Sequence, residues 1–173
     1  MSSVKSKLLQ VKAIILDVDG VLTDGMVTTL PNGDQLRQMN IKDGYALQYT
    51  VKKGFPLAII SGGSSESVRL RLKTLGIEEV HLACKNKLAI FESFLKKHGL
   101  QAAEIMYMGD DLPDFQVMQK VGFSCCPKDA AAEIKAIADY ISPIKGGKGC
   151  VRDVLEQLLK LHKKWFDTDG NEW

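Results

Sequence analysis

Residues 14–24 read Ile14-Ile15-Leu16-Asp17-Val18-Asp19-Gly20-Val21-Leu22-Thr23-Asp24, an apolar run that gives way to carboxylates and a glycine. With Val11 and Ala13 before it, the apolar part predicts a short strand buried on both faces by flanking helices. Asp17 and Asp19 follow at its end. Side chains on an extended chain alternate, so residues two apart share a side, and both carboxylates are expected to project together from the C-terminal end of the strand. That end is where open α/β sheets bind ligands.

Outward from this stretch, the chain alternates strands with helices. Met26–Leu30 and Gln35–Met39 flank Pro31-Asn32-Gly33-Asp34, and an Asn-Gly pair between roughly alternating segments predicts a hairpin. Isolated two-stranded ribbons are marginal, so this one is expected to pack on another subunit. Asp43–Lys53 reads as a helix with Asp43 as N-cap and Gly54 as its stop. Strands are predicted at 56–60, 80–82, 105–108 and 122–126, with a short edge strand at Tyr140-Ile141. Helices are predicted from Ser64 or Ser65 to about Leu75, from Asn86 to His98, after Pro113, from Asp129 to Ala138, and after a flexible loop at 146–149. In the last helix Val151, Val154, Leu155, Leu158, Leu159 and His162 share one face. The pattern predicts a three-layer, Rossmann-like α/β fold with a mainly parallel sheet. A single domain over 1–173 is expected, with a hairpin insertion at about 25–40 and a tail at about 165–173 that frays or docks on a neighbour.

Composition narrows the partners. The net charge is +2 and cations are scattered among anions, which points away from nucleic acid or a membrane surface. No apolar run reaches the roughly 20 residues of a membrane span, and the polar stretch Met1–Leu8 has no signal-peptide core, so a cytoplasmic location is expected. Cys84, Cys125, Cys126 and Cys150 lack zinc-site spacing and read as reduced thiols. His81, His98 and His162 are isolated and read as structural or surface residues.

Chemistry gathers at the strand ends. The predicted strands end in Asp17 and Asp19, in Ser61-Gly62-Gly63, and in Gly109-Asp110-Asp111, and a parallel sheet brings these ends to one rim. Carboxylates converging there repel one another and call for a cation, and hard oxygen ligands suit Mg²⁺, which bridges protein carboxylates and phosphate. A serine hydroxyl, backbone N–H groups around Gly62 and a lysine would complete a phosphate cradle. Lys87 falls in the first turn of a helix, where a cation opposes the helix dipole; it is either a solvated surface residue or has other work. Asp24, Asp34 and Asp129 read as loop residues or caps.

Asp17-Val18-Asp19-Gly20-Val21-Leu22-Thr23 resembles the first motif of haloacid-dehalogenase-like phosphatases, and Ser61, Lys87 and Gly109-Asp110-Asp111 resemble the remaining motifs in order. Within that superfamily, the hairpin, Asn86-Lys87-Leu88 and the 146–152 segment resemble the small capless phosphatases of 3-deoxy-D-manno-octulosonate 8-phosphate, a step toward lipopolysaccharide. The resemblance implies Asp17 as nucleophile and Asp19 as acid and base. It implies Ser61, Gly62 and Lys87 around the phosphoryl group, and Mg²⁺ on Asp17, the Asp19 carbonyl, Asp110 and Asp111. It further implies a homotetramer joined through the hairpins, with Arg69 or Arg71 as basic residues for the sugar acid. One position departs from the pattern. Relatives often carry Thr-Gly-Arg where this chain has Ser61-Gly62-Gly63, and phosphatases of nine-carbon ulosonic acid 9-phosphates, the alternative substrates, place a larger residue at 63. A non-catalytic scaffold on this fold would be expected to lose Asp17, Asp19 or Lys87, and all three are present.

Overall fold

Strand β1 (Ala13–Leu16) has four apolar residues, all buried, and this places it in the interior of a six-stranded sheet. The computed structural model describes residues 3–166. Around β1 the chain runs through α1 (Val4–Gln10), the hairpin β2 (Thr28–Thr29) and β3 (Gln35–Leu36), α2 (Ile41–Lys52), β4 (Leu57–Ile60), α3 (Glu66–Thr74) and β5 (Glu79–His81). It continues through α4 (Lys87–His98), β6 (Ile105–Met108), a 3-10 turn at Leu112–Asp114, α5 (Phe115–Met118), β7 (Phe123–Cys126), α6 (Ala132–Ile137), β8 (Tyr140–Ile141) and α7 (Cys150–Leu161). The sheet order is β5-β4-β1-β6-β7-β8, with every pairing parallel. The two-stranded hairpin stands apart from it.

Alternation along the strands builds two cores. Ile14 and Leu16 join Ile59, Met106 and Met108 on the face covered by Leu47 of α2 and by Val154, Leu155 and Leu158 of α7. Ala13 and Ile15 join Ala58, Ile60 and Tyr107 on the other face, against Phe91 and Phe94 of α4, Val117 of α5 and Ile134 of α6. Each fully buried aliphatic side chain of this kind stabilises the fold by roughly 1.5–3 kcal/mol. The expected three-layer α/β architecture with a hairpin after the first strand is therefore the one observed. None of the helices among the described residues is long and apolar enough to cross a membrane.

Local details differ from the sequence reading. Helix α2 starts two residues early because Asn40 caps it, its side chain accepting from Lys42 N and Asp43 N. Asp43 is not the cap; it is buried, and its Oδ1 accepts from Arg152 N at 2.6 Å in the first turn of α7. Helix α6 is shorter than 129–138, because Asp129 accepts from Gly146 N and Ala131 N donates to Asp110 O, holding 129–131 in a turn. The sequence reading missed α1, whose single buried residue, Leu8, gives no periodic stripe. The 146–149 loop, expected to be flexible, is packed: a Cβ on Gly146 would lie 1.9 Å from Gly20 O, and Gly147 N donates to Val21 O at 2.9 Å. All four cysteines are free thiols. Trp165 packs edge-on against Tyr45 and Tyr49, and residues 167–173 of the expected tail lie outside the described residues.

Candidate active site

The chain leaves β1 toward β4 and β5, then returns to lay β6 on the opposite side of β1. Such a reversal opens a crevice beyond the strand ends. Asp17 N donates to Met108 O at 3.0 Å, which fixes the end of β1 beside the end of β6. Beyond Leu16 the chain turns, with Leu22 N and Thr23 N both donating to Val18 O. Asp17 and Asp19 thus share one cleft, but they reach it from a turn rather than a continuing strand, and they have different partners. The cleft, about 520 Å³, is lined by Asp17, Asp19, Ser61, Gly62, Lys87, Asp110 and Asp111, together with Gly63 and Lys85. A larger hollow of about 670 Å³ adjoins it but contains none of the carboxylates Asp17, Asp19, Asp110 or Asp111.

Asp17 keeps the strand parity of Ala13 and Ile15 and points toward the α4 face. There Lys87 Nζ lies 2.9 Å from Asp17 Oδ2 and 2.7 Å from Asp114 Oδ1, its side chain only 6% exposed. This settles the lysine's misfit with the helix dipole, since a buried ammonium needs carboxylate partners. Burial alone would lower the lysine's pKa; the two carboxylates outweigh it and hold the pKa above the usual value. Asp114 is fully used: Oδ1 also accepts from Tyr107 OH at 2.6 Å, and Oδ2 accepts from Asp110 N and Asp111 N. It shapes the 109–114 loop and aims Lys87. Glycines make the fit possible. A Cβ on Gly109 would lie 2.4 Å from Asp114 Cγ, and one on Gly20, whose φ is +82°, would lie 1.9 Å from Asp110 Oδ2.

One lysine serves several carboxylates. Carboxylate oxygens of Asp17, Asp110 and Asp114 come within 4.8 Å of one another. Burial, then repulsion from Asp17, Asp114 and Asp111, pushes the Asp110 pKa up to about 7. Burial and Asp114 raise that of Asp17 as well, against the pull of Lys87. Asp17 Oδ1 is buried without a hydrogen-bond partner among the described residues. An orphaned carboxylate oxygen beside a second destabilised carboxylate is a donor set that fits a hard divalent cation. Asp114 belongs to the cluster, but the donors on both its oxygens make it a support rather than a ligand.

The opposite wall is built differently. Asp19 pairs with Arg37, which follows β3 of the hairpin, with Nε 2.6 Å from Oδ1. Ser61 is buried at the end of β4, and its Oγ accepts from Gly63 N at 3.1 Å. Arg69 is committed to Glu66 and the Val80 carbonyl, and Arg71 approaches Gly44; neither lines the cleft within this chain. Asp114 and Arg37 are the site residues the sequence reading missed. Asp114 follows Asp110-Asp111 by three residues with no role read for it, and Arg37 stood inside the predicted hairpin with no motif to mark it.

The chain matches the model of the haloacid dehalogenase-like hydrolases over residues 43–122, and the carboxylate cluster at the crevice of a parallel sheet, with its buried lysine, fits that class. Over 98% of its length the chain is 37% identical to the 3-deoxy-D-manno-octulosonate 8-phosphate phosphatase KdsC of Escherichia coli strain B, covering 90% of that protein. The corresponding Yersinia pestis structure superposes with a TM-score of 0.91 at 33% identity, over 93% of this chain and 87% of that one. That of Moraxella catarrhalis, in complex with magnesium, phosphate and KDO, gives 0.88 at 35% identity, over 91% of each chain. The chain belongs to the KdsC family of phosphoric monoester hydrolases.

Proposed function

We propose that the chain hydrolyses 3-deoxy-D-manno-octulosonate 8-phosphate to the free sugar acid and inorganic phosphate through an aspartyl-phosphate on Asp17. The observation that carries this reading is the state of Asp17: one oxygen is oriented by Lys87, and the other, beside Asp110 in the cleft, has no partner among the described residues. Asp17 attacks phosphorus, the bond from phosphorus to the sugar oxygen breaks, and Asp19 gives that oxygen a proton. Asp19 then takes a proton from the water that attacks the aspartyl-phosphate, releasing phosphate and regenerating Asp17. Ser61 Oγ, the Gly62 N–H and Lys87 hold the phosphoryl oxygens as charge builds on them. Asp17, the Asp19 carbonyl and Asp110, with Asp111 beside them, would hold Mg²⁺, which would supply charge to offset repulsion between an anionic nucleophile and an anionic phosphate.

The chain acts as one domain and assembles through its hairpins into a homotetramer. Supporting this, the hairpin segment exposes Met26 at 72% and Leu36 at 50%, and Ile41 beside it at 69%. Exposed apolar side chains gathered in this way are stabilised by covering them. Arg69 and Arg71, which do not line the cleft of their own chain, are candidates for a neighbouring copy's site.

Phosphate release from eight- and nine-carbon ulosonic acid phosphates, with and without Mg²⁺, tests the reading. The eight-carbon substrate is expected to give the higher kcat/KM, and chelation of Mg²⁺ to abolish release. Gly63 offers no side chain to the nine-carbon substrate, so a tenfold preference for it would reassign the enzyme.

A further inference from the structure

The proposed phosphoryl chemistry leaves two cations unused, Lys85 in the cleft lining and Arg37 behind Asp19. Arg37 follows a hairpin whose strand residues are all exposed, yet its own side chain is only 7% exposed. It grips Asp19 at two points, Nε to Oδ1 at 2.6 Å and Nη2 to Oδ2 at 3.3 Å. Among the described residues, the far edge of the guanidinium is held by Gln35 alone: its carbonyl accepts from Nη1 at 3.3 Å and its side-chain Oε1 accepts from Nη2 at 3.2 Å. Gly63 makes the room, since a Cβ there would lie 3.1 Å from Asp19 Oδ2 and 3.2 Å from Arg37 Nη2.

An ion pair to a partly exposed carboxylate barely offsets the rotamer entropy lost in ordering an arginine, so the grip on Asp19 is by itself a weak reason for this arrangement. Substrate charge gives a stronger one. Lys87 is committed to Asp17 and Asp114, so a second anionic group on the substrate must find its counter-charge elsewhere. Asp19, as proton donor to the leaving group, places that group beside itself, and Arg37 is the cation in contact there. A guanidinium is charged at any working pH, and its planar fork of five N–H donors can hold two carboxylates along different edges. Exposed Gln35 can rotate away from the outer edge.

We propose that Arg37 is a specificity-determining residue that binds the carboxylate of the leaving sugar acid, exchanging Gln35 for it while its Nε stays on Asp19. This rests on the sugar-acid phosphatase reading above. The test measures kcat and KM for 3-deoxy-D-manno-octulosonate 8-phosphate and for a neutral sugar phosphate such as ribose 5-phosphate. The enzymes compared are wild type, Arg37→Gln, Arg37→Lys and Lys85→Gln, the last removing a cation that lines the cleft. The ratio of kcat/KM for the acid over the neutral substrate is expected to fall at least tenfold in Arg37→Gln, mainly through KM. Arg37→Lys should recover part of it, and Lys85→Gln should keep it. Equal losses on both substrates, meaning that Arg37 only orders Asp19, would overturn the assignment. So would an unchanged ratio in Arg37→Gln, or a ratio lowered only by Lys85→Gln. Absence of release from the acid substrate by the wild type would instead overturn the underlying function, and no variant is needed to see it.

Discussion

The two walls of the cleft hold the same kind of group, an aspartate paired with a cation, and hold it by opposite means. On the α4 wall, Asp17, Lys87, Asp114 and Tyr107 are buried, cross-linked by hydrogen bonds, and continuous with the core of Phe91 and Ile15. On the hairpin wall, Asp19 is about one-third exposed, and its partner Arg37 hangs from a two-stranded ribbon outside the main sheet. The first wall is made by folding and has one geometry. The second has a polar partner that can be exchanged, which suits the side where substrates differ from one another.

Stability measurements can break this contrast. Asp114→Ala strips the buried lysine of one carboxylate and leaves Tyr107 OH and two backbone N–H groups without their acceptor. A loss of about 3–5 kcal/mol in urea unfolding is expected, with activity falling alongside it. A cost below about 1 kcal/mol would show that the α4 wall is no more rigid than the hairpin.

A buried carboxylate away from the cleft gives a reference for burial without a cation site. Asp43 has its pKa pushed up to about 6 by burial, against backbone donors Arg152 N and Gly149 N. A folded pKa above the unfolded one favours the protonated folded state, so this stabilising contribution is full below about pH 4 and is lost as pH rises to about 6. Across that window the wild type is expected to lose about 1.4 kcal/mol per pH unit relative to Asp43→Asn. Parallel stability profiles of the two proteins would contradict it. Smallest of all should be Arg37→Gln, whose effect on unfolding is expected to stay under about 1 kcal/mol, because its ion pair is partly exposed. A larger loss by the same urea assay would make the hairpin wall structural and remove the contrast.

The same division explains what could be read from the sequence. Asp17, Asp19 and Asp110 sit directly after apolar runs, so local pattern and parallel-sheet logic placed them together. Lys87 was visible as a cation at the wrong end of a helix, though not its partners. Asp114 meets Tyr107 across 7 positions and Lys87 across 27, and an acid three residues past Asp110-Asp111 carries no sign of either. Arg37 reaches Asp19 over 18 positions through the geometry of a hairpin, which no motif records. Asp43 was misplaced for a related reason. Its partner, Arg152 N, is 109 positions away, and Asn40 takes the cap of α2 in its place.

The central claim is that Asp17 is the nucleophile, and Asp17→Asn tests it most directly. Steady-state phosphate release from 3-deoxy-D-manno-octulosonate 8-phosphate, with saturating Mg²⁺, should fall by at least about 10³-fold while circular dichroism shows the fold intact. Turnover at the wild-type level in that variant would contradict the account.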